Sequence, residues 1–376
     1  MSAAPRIAVV GAGPAGAIAA YVLARRGANV ALYEKSSWPR AKACGDGLTP
    51  SSVALLDELG IALPARARFT ATYVTGPTGA GFRAPWPSNV PDGTTFERSA
   101  FDALLVAAAI EAGARFFDRI EVAECRPDGT LTTRANGATA TERFDAIALA
   151  EGGTGALAER AGLPPFAQRL GAYRGYVSTP ADLPDEYGVH YARPFVPGYA
   201  WIFPVAPRRA NVGAVLAAKG DVRALLRGWI ASSPEARRAL GPSPELESGR
   251  GGIIAIGRTR RNHERVFAIG DAAGIADPLS AEGVSQAMRS AVLFGDALTR
   301  AGGNIAKAGA AYEHDVRAFD ANNREAFRMR ALFAILAGPM TALAAKRPRL
   351  ARHVIASGYF PKRDSRWFAQ TFAALR

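Results

Sequence analysis

Gly11-Ala-Gly13-Pro-Ala-Gly16 stands directly after Arg6-Ile-Ala-Val-Val10, a short apolar run suited to a buried parallel strand. Gly11 permits a tight turn, Gly13 lets the backbone approach a diphosphate, and Gly16 lets a helix pack closely on the strand. Ala15 opens a proline-free, helix-forming stretch to Arg26. The free N–H groups and positive dipole end of such a helix suit phosphates. A second apolar run, Asn29–Tyr33, ends at Glu34, 18 residues after Gly16. An acid at that place accepts hydrogen bonds from a ribose diol. Strand, turn, helix and acid together predict dinucleotide binding.

A second cluster specifies the dinucleotide. Gly270-Asp271-Ala-Ala-Gly274 closes the strand-like run Val266–Gly270, and Glu282-Gly283-Val284 then begins a helical stretch to Arg300. Asp271 can meet ribityl hydroxyls, with Gly274 and Gly283 leaving room for a cofactor. An Asp that caps the next helix is compatible with this role. The N–H groups near Gly283-Val284 begin a helix whose dipole can stabilise negative charge on a reduced ring. The order of the two clusters along the chain describes FAD gripped from both ends.

Three further segments carry reactive or apolar side chains. Cys44 sits in Lys42-Ala-Cys44-Gly45-Asp46-Gly47, where it is either a small buried hydrophobe or a proton-bearing group beside the flavin. Arg40 and Lys42 would lower its thiol pKa if they point inward. Arg98-Ser-Ala-Phe101-Asp102 opens a helical run to Ala112, and Arg98 is either a cofactor contact or a surface residue. Tyr199, Trp201 and Phe203 alternate with period two and so share one sheet face. Period alone leaves open plain core packing or an aromatic wall for an apolar substrate.

Composition is that of an ordinary globular chain, at 376 residues with 49% hydrophobic and 21% charged residues, long enough for two domains. Cys44 and Cys125 are the only cysteines, which argues against a disulfide framework and for a reducing cytoplasm. A strand starting at residue 6 leaves no room for a signal peptide. Four scattered histidines make a metal site or triad improbable, so no metal is expected. The net charge of +13 is concentrated from Arg324 onward, where eleven Lys/Arg face only Glu325 and Asp364. Within this tail Ala331–Ala345 is apolar, too short to span a bilayer and interrupted by Gly338-Pro339. Two readings are open: a pair of core-covering helices with basic ends, or a surface that sits on anionic membrane. Nucleic acid is not indicated, because no recognition motif accompanies the charge.

The expected class is α/β: a Rossmann-like FAD-binding domain, an inserted antiparallel-sheet domain and a helical C-terminal region. The nucleotide domain is assembled from residues 1–65, 96–165 and 259–325. The substrate-binding sheet takes 66–95 and 166–258, with one helix near 220–239, and the basic region is 326–376. Strand-like segments are expected at 115–123, which holds Val122, and at 130–134 and 144–150.

These segments resemble the geranylgeranyl reductase family of FAD-dependent oxidoreductases, within the p-hydroxybenzoate-hydroxylase-like flavoproteins. The resemblance covers roughly residues 5–330. Lys42–Leu48 is similar to the family's Lys-x-Cys-Gly segment, and Arg98–Asp102 to its Arg-x-x-Phe-Asp motif. Tyr199-Ala-Trp201-Ile-Phe203-Pro204, with Asn211-Val-Gly213 behind it, resembles the Tyr-x-Trp-x-Phe-Pro strand that faces substrate. The resemblance implies that Gly11, Gly13, Ala15, Gly16, Glu34, Cys44, Gly45, Arg98, Val122, Asp271, Gly283 and Val284 hold FAD. It implies that Tyr199, Trp201 and Phe203 meet the substrate, with Cys44 and Tyr199 as catalytic candidates. Two departures stand out: Glu151-Gly-Gly-Thr-Gly155 replaces an Asp-Gly-x-x-Ser segment, and Ile254-Ala255 replaces Ile-Pro. The activity implied is hydride transfer from NAD(P)H through FAD to a C=C bond of an isoprenoid-like lipid or quinone. The alternative is a monooxygenase or halogenase acting on an aromatic or polyketide-like molecule. No second GxGxxG occurs, so the nicotinamide visits without a Rossmann site of its own.

Overall fold

The structure is a computed structural model and describes residues 4–64, 67–88, 90–217 and 220–359. A six-stranded sheet runs Asn262–His263, Val266–Ala268, Ala146–Leu149, Arg6–Val10, Asn29–Tyr33, Arg115–Phe117. All its pairings are parallel except that of Asn262–His263. The strand Arg6–Val10 has Asn29–Tyr33 on one side and Ala146–Leu149 on the other. The order of strand addition therefore reverses at this strand, and doubly wound sheets bind ligands at the C-terminal end of such a switch point. The helix Pro14–Arg25 begins there and is buried from Pro14 to Leu23 between the sheet and the helices Arg98–Glu111 and Val284–Arg300. Gly16 makes this approach possible. A Cβ on it would lie 1.8 Å from the carbonyl oxygen of Gly11, whose own φ is +103°.

The second sheet has seven strands in the order Glu247–Ile256, Gln168–Ser178, Arg209–Leu216, Tyr199–Ala206, Tyr187–His190, Ala71–Thr75, Gly81–Pro85. One pairing in it, Tyr187–His190 with Ala71–Thr75, is parallel. One face packs on Leu226, Trp229 and Ile230, and the other looks toward the nucleotide domain.

Local expectations needed three corrections. The segment 115–123 is not one strand. Arg115–Phe117 ends the parallel sheet, and Glu121–Cys125 starts a three-stranded antiparallel sheet with Thr130–Ala135 and Ala138–Arg143. Arg119, at φ +56°, turns the chain between them. The helix near 220–239 is two helices, Val222–Ser232 and Pro234–Leu240. Pro234 holds Ser233 in an extended conformation, and the Ser233 hydroxyl accepts the Ala236 N–H at 3.2 Å as an N-cap.

The third correction concerns the tail. Gly338-Pro339 does not interrupt it, and one helix runs from Ile305 to Lys346. Gly338 has no Cβ to clash with the proline ring, and the carbonyl that Pro339 leaves unpaired belongs to Ile335, which is 78% exposed to water. The break falls instead at Arg347, extended ahead of Pro348, where the helix Pro348–Tyr359 starts. Among the described residues Ile305–Lys346 is the one helix long and apolar enough to cross a membrane by length and composition. Only 28% of its most apolar window is buried. The apolar stretch Ala331–Ala345, too short by itself, is therefore part of a helix that is long enough. Residues 360–376 of the basic region lie outside the described residues.

Candidate active site

The nucleotide end is built on two acids and two guanidinium groups. Glu34, at the tip of its strand, accepts the N–H of Ala12 at 3.3 Å, the N–H of Ser36 at 3.0 Å and Arg40 Nε at 2.9 Å. Burial pushes its carboxyl up. Arg40 and the two N–H groups outweigh burial and hold it below the ordinary range. Arg40 also donates to Asp102 Oδ2 at 2.9 Å, and Asp102 receives Arg98 Nε at 2.8 Å and Nη2 at 2.9 Å. Arg98 is therefore a buried residue, not a surface one. A Cβ placed on Gly13 would lie 3.7 Å from Arg40 Nη2 and 3.9 Å from Arg98 Nη2. Two cations thus converge on the bare backbone at the start of a helix, which is the chemistry a diphosphate requires. Asp102, the hub of this chain, was visible in the sequence only as part of a motif.

The second end lies across the same opening. Gly270 and Gly274 adopt φ of +62° and +67° on either side of the short turn that carries Asp271. Burial raises the Asp271 carboxyl pKa against the opposing pull of Lys42 and Arg98. A Cβ on Gly283 would stand 3.0 Å from Asp271 Oδ1, so Gly283 leaves the carboxylate room beside the helix that Val284 opens. Two buried arginines that the sequence did not mark hold this turn from below. Arg258 Nε donates to Ala272 O at 2.8 Å and Arg261 Nε to Ala273 O at 3.1 Å.

Cys44 lies between the two ends. Burial raises its thiol pKa; Arg98 opposes this and Asp46 adds to it. The expectation that Arg40 and Lys42 would activate the thiol is corrected: Arg98 is the cation that bears on it, and burial outweighs it. Lys42 is itself held below its ordinary pKa by burial and by Arg98 and Arg40.

Tyr199, Trp201 and Phe203 form a continuous row, with ring centroids 6.2 Å apart at each step. The Tyr199 hydroxyl donates to the carbonyl of Ser280, in the loop before Glu282. One continuous cavity of about 770 Å³ is lined by Gly11, Gly13, Ala15, Glu34, Val122, Cys44, Gly45, Arg98, Asp271, Gly283, Val284 and the three aromatics. Gly16 is behind this wall, in the helix-to-strand contact. The far end of the cavity is apolar and is closed by Met329, Phe333 and Met340 from the long helix and Ile355 from the next. Their role was not legible, because no motif marks them.

Residues 5–185 match an FAD binding domain profile. A menaquinone reductase of Mycolicibacterium smegmatis is 30% identical over 325 residues, 79% of this chain and 76% of the relative. The chain belongs to the geranylgeranyl reductase family of FAD-dependent oxidoreductases. A digeranylgeranylglycerophospholipid reductase of Methanopyrus kandleri is 29% identical over 78% of this chain and 80% of its own length. The fold matches a geranylgeranyl bacteriochlorophyll reductase-like protein of Thermoplasma acidophilum at a TM-score of 0.82, with 18% identity over 99% of each chain. The flavin-dependent brominase Bmp2 has the same fold, with a TM-score of 0.78 and 20% identity over 98% of this chain and 97% of its own.

The departure at Glu151 has a local explanation. Its carboxylate accepts the N–H groups of Leu157 at 2.9 Å and Ala158 at 2.7 Å, capping the helix Ala156–Arg160. Arg160 lines the same cavity, and its Nη2 donates to the carbonyl of Ala123 at 3.3 Å.

Proposed function

We propose that this oxidoreductase passes hydride from NAD(P)H, by way of bound FAD, to one carbon of a C=C bond in an isoprenoid-like lipid or quinone. The other carbon receives a proton. The observation that carries the reading is the single cavity, charged at the diphosphate cradle and apolar beneath the long helix. FAD, when bound, supplies the two-electron chemistry. Gly11, Gly13, Ala15 and the Arg40–Arg98 pair hold its diphosphate, Glu34 takes the ribose, and Asp271 with Gly283-Val284 takes the ribityl end. Tyr199, Trp201 and Phe203 wall the alkene and exclude water from it. Cys44 keeps its proton at Sγ because burial disfavours the thiolate, which suits a proton donor rather than a nucleophile. The Tyr199 hydroxyl is the second candidate donor.

Two relatives support the substrate class by what their names state: a menaquinone in one and a digeranylgeranylglycerophospholipid in the other. An apolar lipid must reach the chamber from a membrane. Leu332, Ile335 and Leu343 are exposed on the long helix whose other side closes the chamber. Lys346, Arg347 and Arg349 are exposed at its end. We place the chain at the cytoplasmic face of an anionic membrane, bound peripherally through this helix pair.

The test is stopped-flow oxidation of the photoreduced protein under strict anaerobiosis, with and without a prenylated lipid or quinone. Reoxidation with formation of saturated product supports the reductase. The fold shared with a flavin-dependent brominase favours a second reading, oxygen chemistry on an aromatic or polyketide-like molecule. A reduced protein that ignores every prenylated alkene and forms product only once oxygen enters would establish that reading instead.

A further inference from the structure

Asn211 is completely buried on the strand Arg209–Leu216 and has no place in the cofactor or substrate roles above. It pairs with Tyr176 on one neighbouring strand and with Phe203 on the other. Its amide oxygen and both amide N–H groups are engaged. Its Oδ1 accepts the indole N–H of Trp201 at 2.8 Å. Its Nδ2 donates to the carbonyl of Cys44 and to Asp46 Oδ2, each at 2.8 Å. The partners belong to separate parts of the chain. Trp201 stands in the aromatic wall, and Cys44 and Asp46 belong to the loop that follows the nucleotide-binding strands.

The surroundings show that this junction is built to one geometry. Asp46 has φ +62°, a left-handed backbone that few non-glycine residues adopt and that Asp tolerates better than most because its short polar side chain can hydrogen-bond locally. Its carboxylate is held by Tyr176 Oη at 2.7 Å as well as by Asn211, and its other oxygen accepts the Arg98 N–H at 3.3 Å. Gly213, two residues after Asn211 and on the same sheet face, lets the indole lie over the strand. A Cβ there would be 2.2 Å from the Trp201 ring. Gly45 lets the loop lie against the wall, since a Cβ on it would be 3.3 Å from Trp201 Nε1 and 3.2 Å from the Phe203 ring.

We infer that Asn211 is a positioning residue that locks the Cys44 loop to the aromatic wall, so that the thiol and the Trp201 face keep one spacing across the chamber. Cys44 bonds to the wall through its backbone carbonyl alone, while its Sγ is engaged by Arg98 and by the Asp46 N–H. Replacing Asn211 by an apolar residue of similar size strands three buried groups at once: the Trp201 N–H, the Cys44 carbonyl and one contact of Asp46.

The inference rests on reading this chamber as the active site, but its test needs neither donor nor substrate. The FAD-loaded full-length protein is treated with iodoacetamide, and alkylation of Cys44 is followed by mass spectrometry, with buried Cys125 as the internal reference. Asn211→Leu should speed alkylation of Cys44 by about tenfold, because the loop opens without its anchor. Val212→Ala, a cavity-forming change on the opposite face of the same strand, should lower stability and leave the Cys44 rate unchanged. If Asn211→Leu does not fold, Trp201→Phe removes the indole donor together with part of the ring that packs on Gly213 and Gly45, and should raise the rate by about threefold. A folded, FAD-containing variant that alkylates at the wild-type rate overturns the proposal, as does a Val212→Ala rate that rises with it. Failure here would leave the reductase reading intact, and absence of alkene reduction would leave the lock intact.

Discussion

At the scale of single residues, the nucleotide cradle depends on two features with separable failures. Gly13→Val places a side chain between two guanidinium groups and the helix N-terminus, and Glu34→Ala removes the carboxylate that Arg40 holds. Each variant should purify without FAD, and a stoichiometric flavin absorbance in either would sink the cradle. Cys44→Ser keeps the size of the side chain but donates a proton less readily. It should retain FAD and slow alkene reduction by about tenfold or more, and unchanged turnover would return Cys44 to packing. His190 supplies a pH test outside the site. It is buried, its Nδ1 lies 2.9 Å from Thr75 Oγ1, and burial lowers its pKa from 6.5 to about 4. The unfolded chain therefore binds the proton at higher pH than the folded one. Stability is lost as pH falls from 6.5 toward 4, by about 2–3 kcal/mol from this group. Urea unfolding of His190→Gln should show a shallower acid slope in that window, and an identical slope would remove His190 from the account.

At the scale of elements, the long helix shows how local rules yield to context. Pro339 lacks the N–H that would bond the Ile335 carbonyl, yet the helix continues. Thr341 Oγ1 donates to Ala337 O at 2.7 Å, so the turn on the buried side is held by a side chain. Pro339→Ala restores a backbone bond at an exposed position and should stabilise the protein by about 1 kcal/mol, after the loss of proline's restraint on the unfolded chain. Thermal unfolding reads this directly, and a lower midpoint would mean that the proline shapes the helix rather than merely being tolerated. The same helix carries Arg330, whose buried Nη1 donates to Pro278 O at 3.1 Å and whose Nη2 reaches Gln168. Through that one side chain the chamber's lid is tied to the loop ahead of Glu282-Gly283.

At the scale of the whole molecule, two sheets and a helix pair enclose one cavity, and no single element contains the site. The exposed apolar residues lie on the long helix and the basic residues at its junction with the helix Pro348–Tyr359, a combination that suits a lipid surface. Neutralising Lys346, Arg347 and Arg349 together should weaken sedimentation with anionic vesicles by more than tenfold at low salt, since each cation near such a surface is worth about 1 kcal/mol. Neutral vesicles should show little change. Equal binding by the triple variant would remove the membrane from the account.

The amino-acid sequence alone determined the βαβ unit, the acid at the end of its second strand, the Gly-Asp turn and the alternating aromatics. Each of these rests on local rules: glycine where backbone must come close, period two where one face is shared, a free helix end where phosphate sits. Those rules act over a few residues, so neighbours in the chain suffice to state them. Only the tertiary structure decided that Asp102 joins Arg40 to Arg98, that Arg258 and Arg261 hold the Asp271 turn, and that Asn211 meets Cys44 from 167 positions away. A buried polar group takes whichever partner the packed chain brings within reach, and nothing in its local sequence names that partner. The same holds for Met329 and Phe333, ordinary helix residues until the sheet opposite turns the space between them into a chamber.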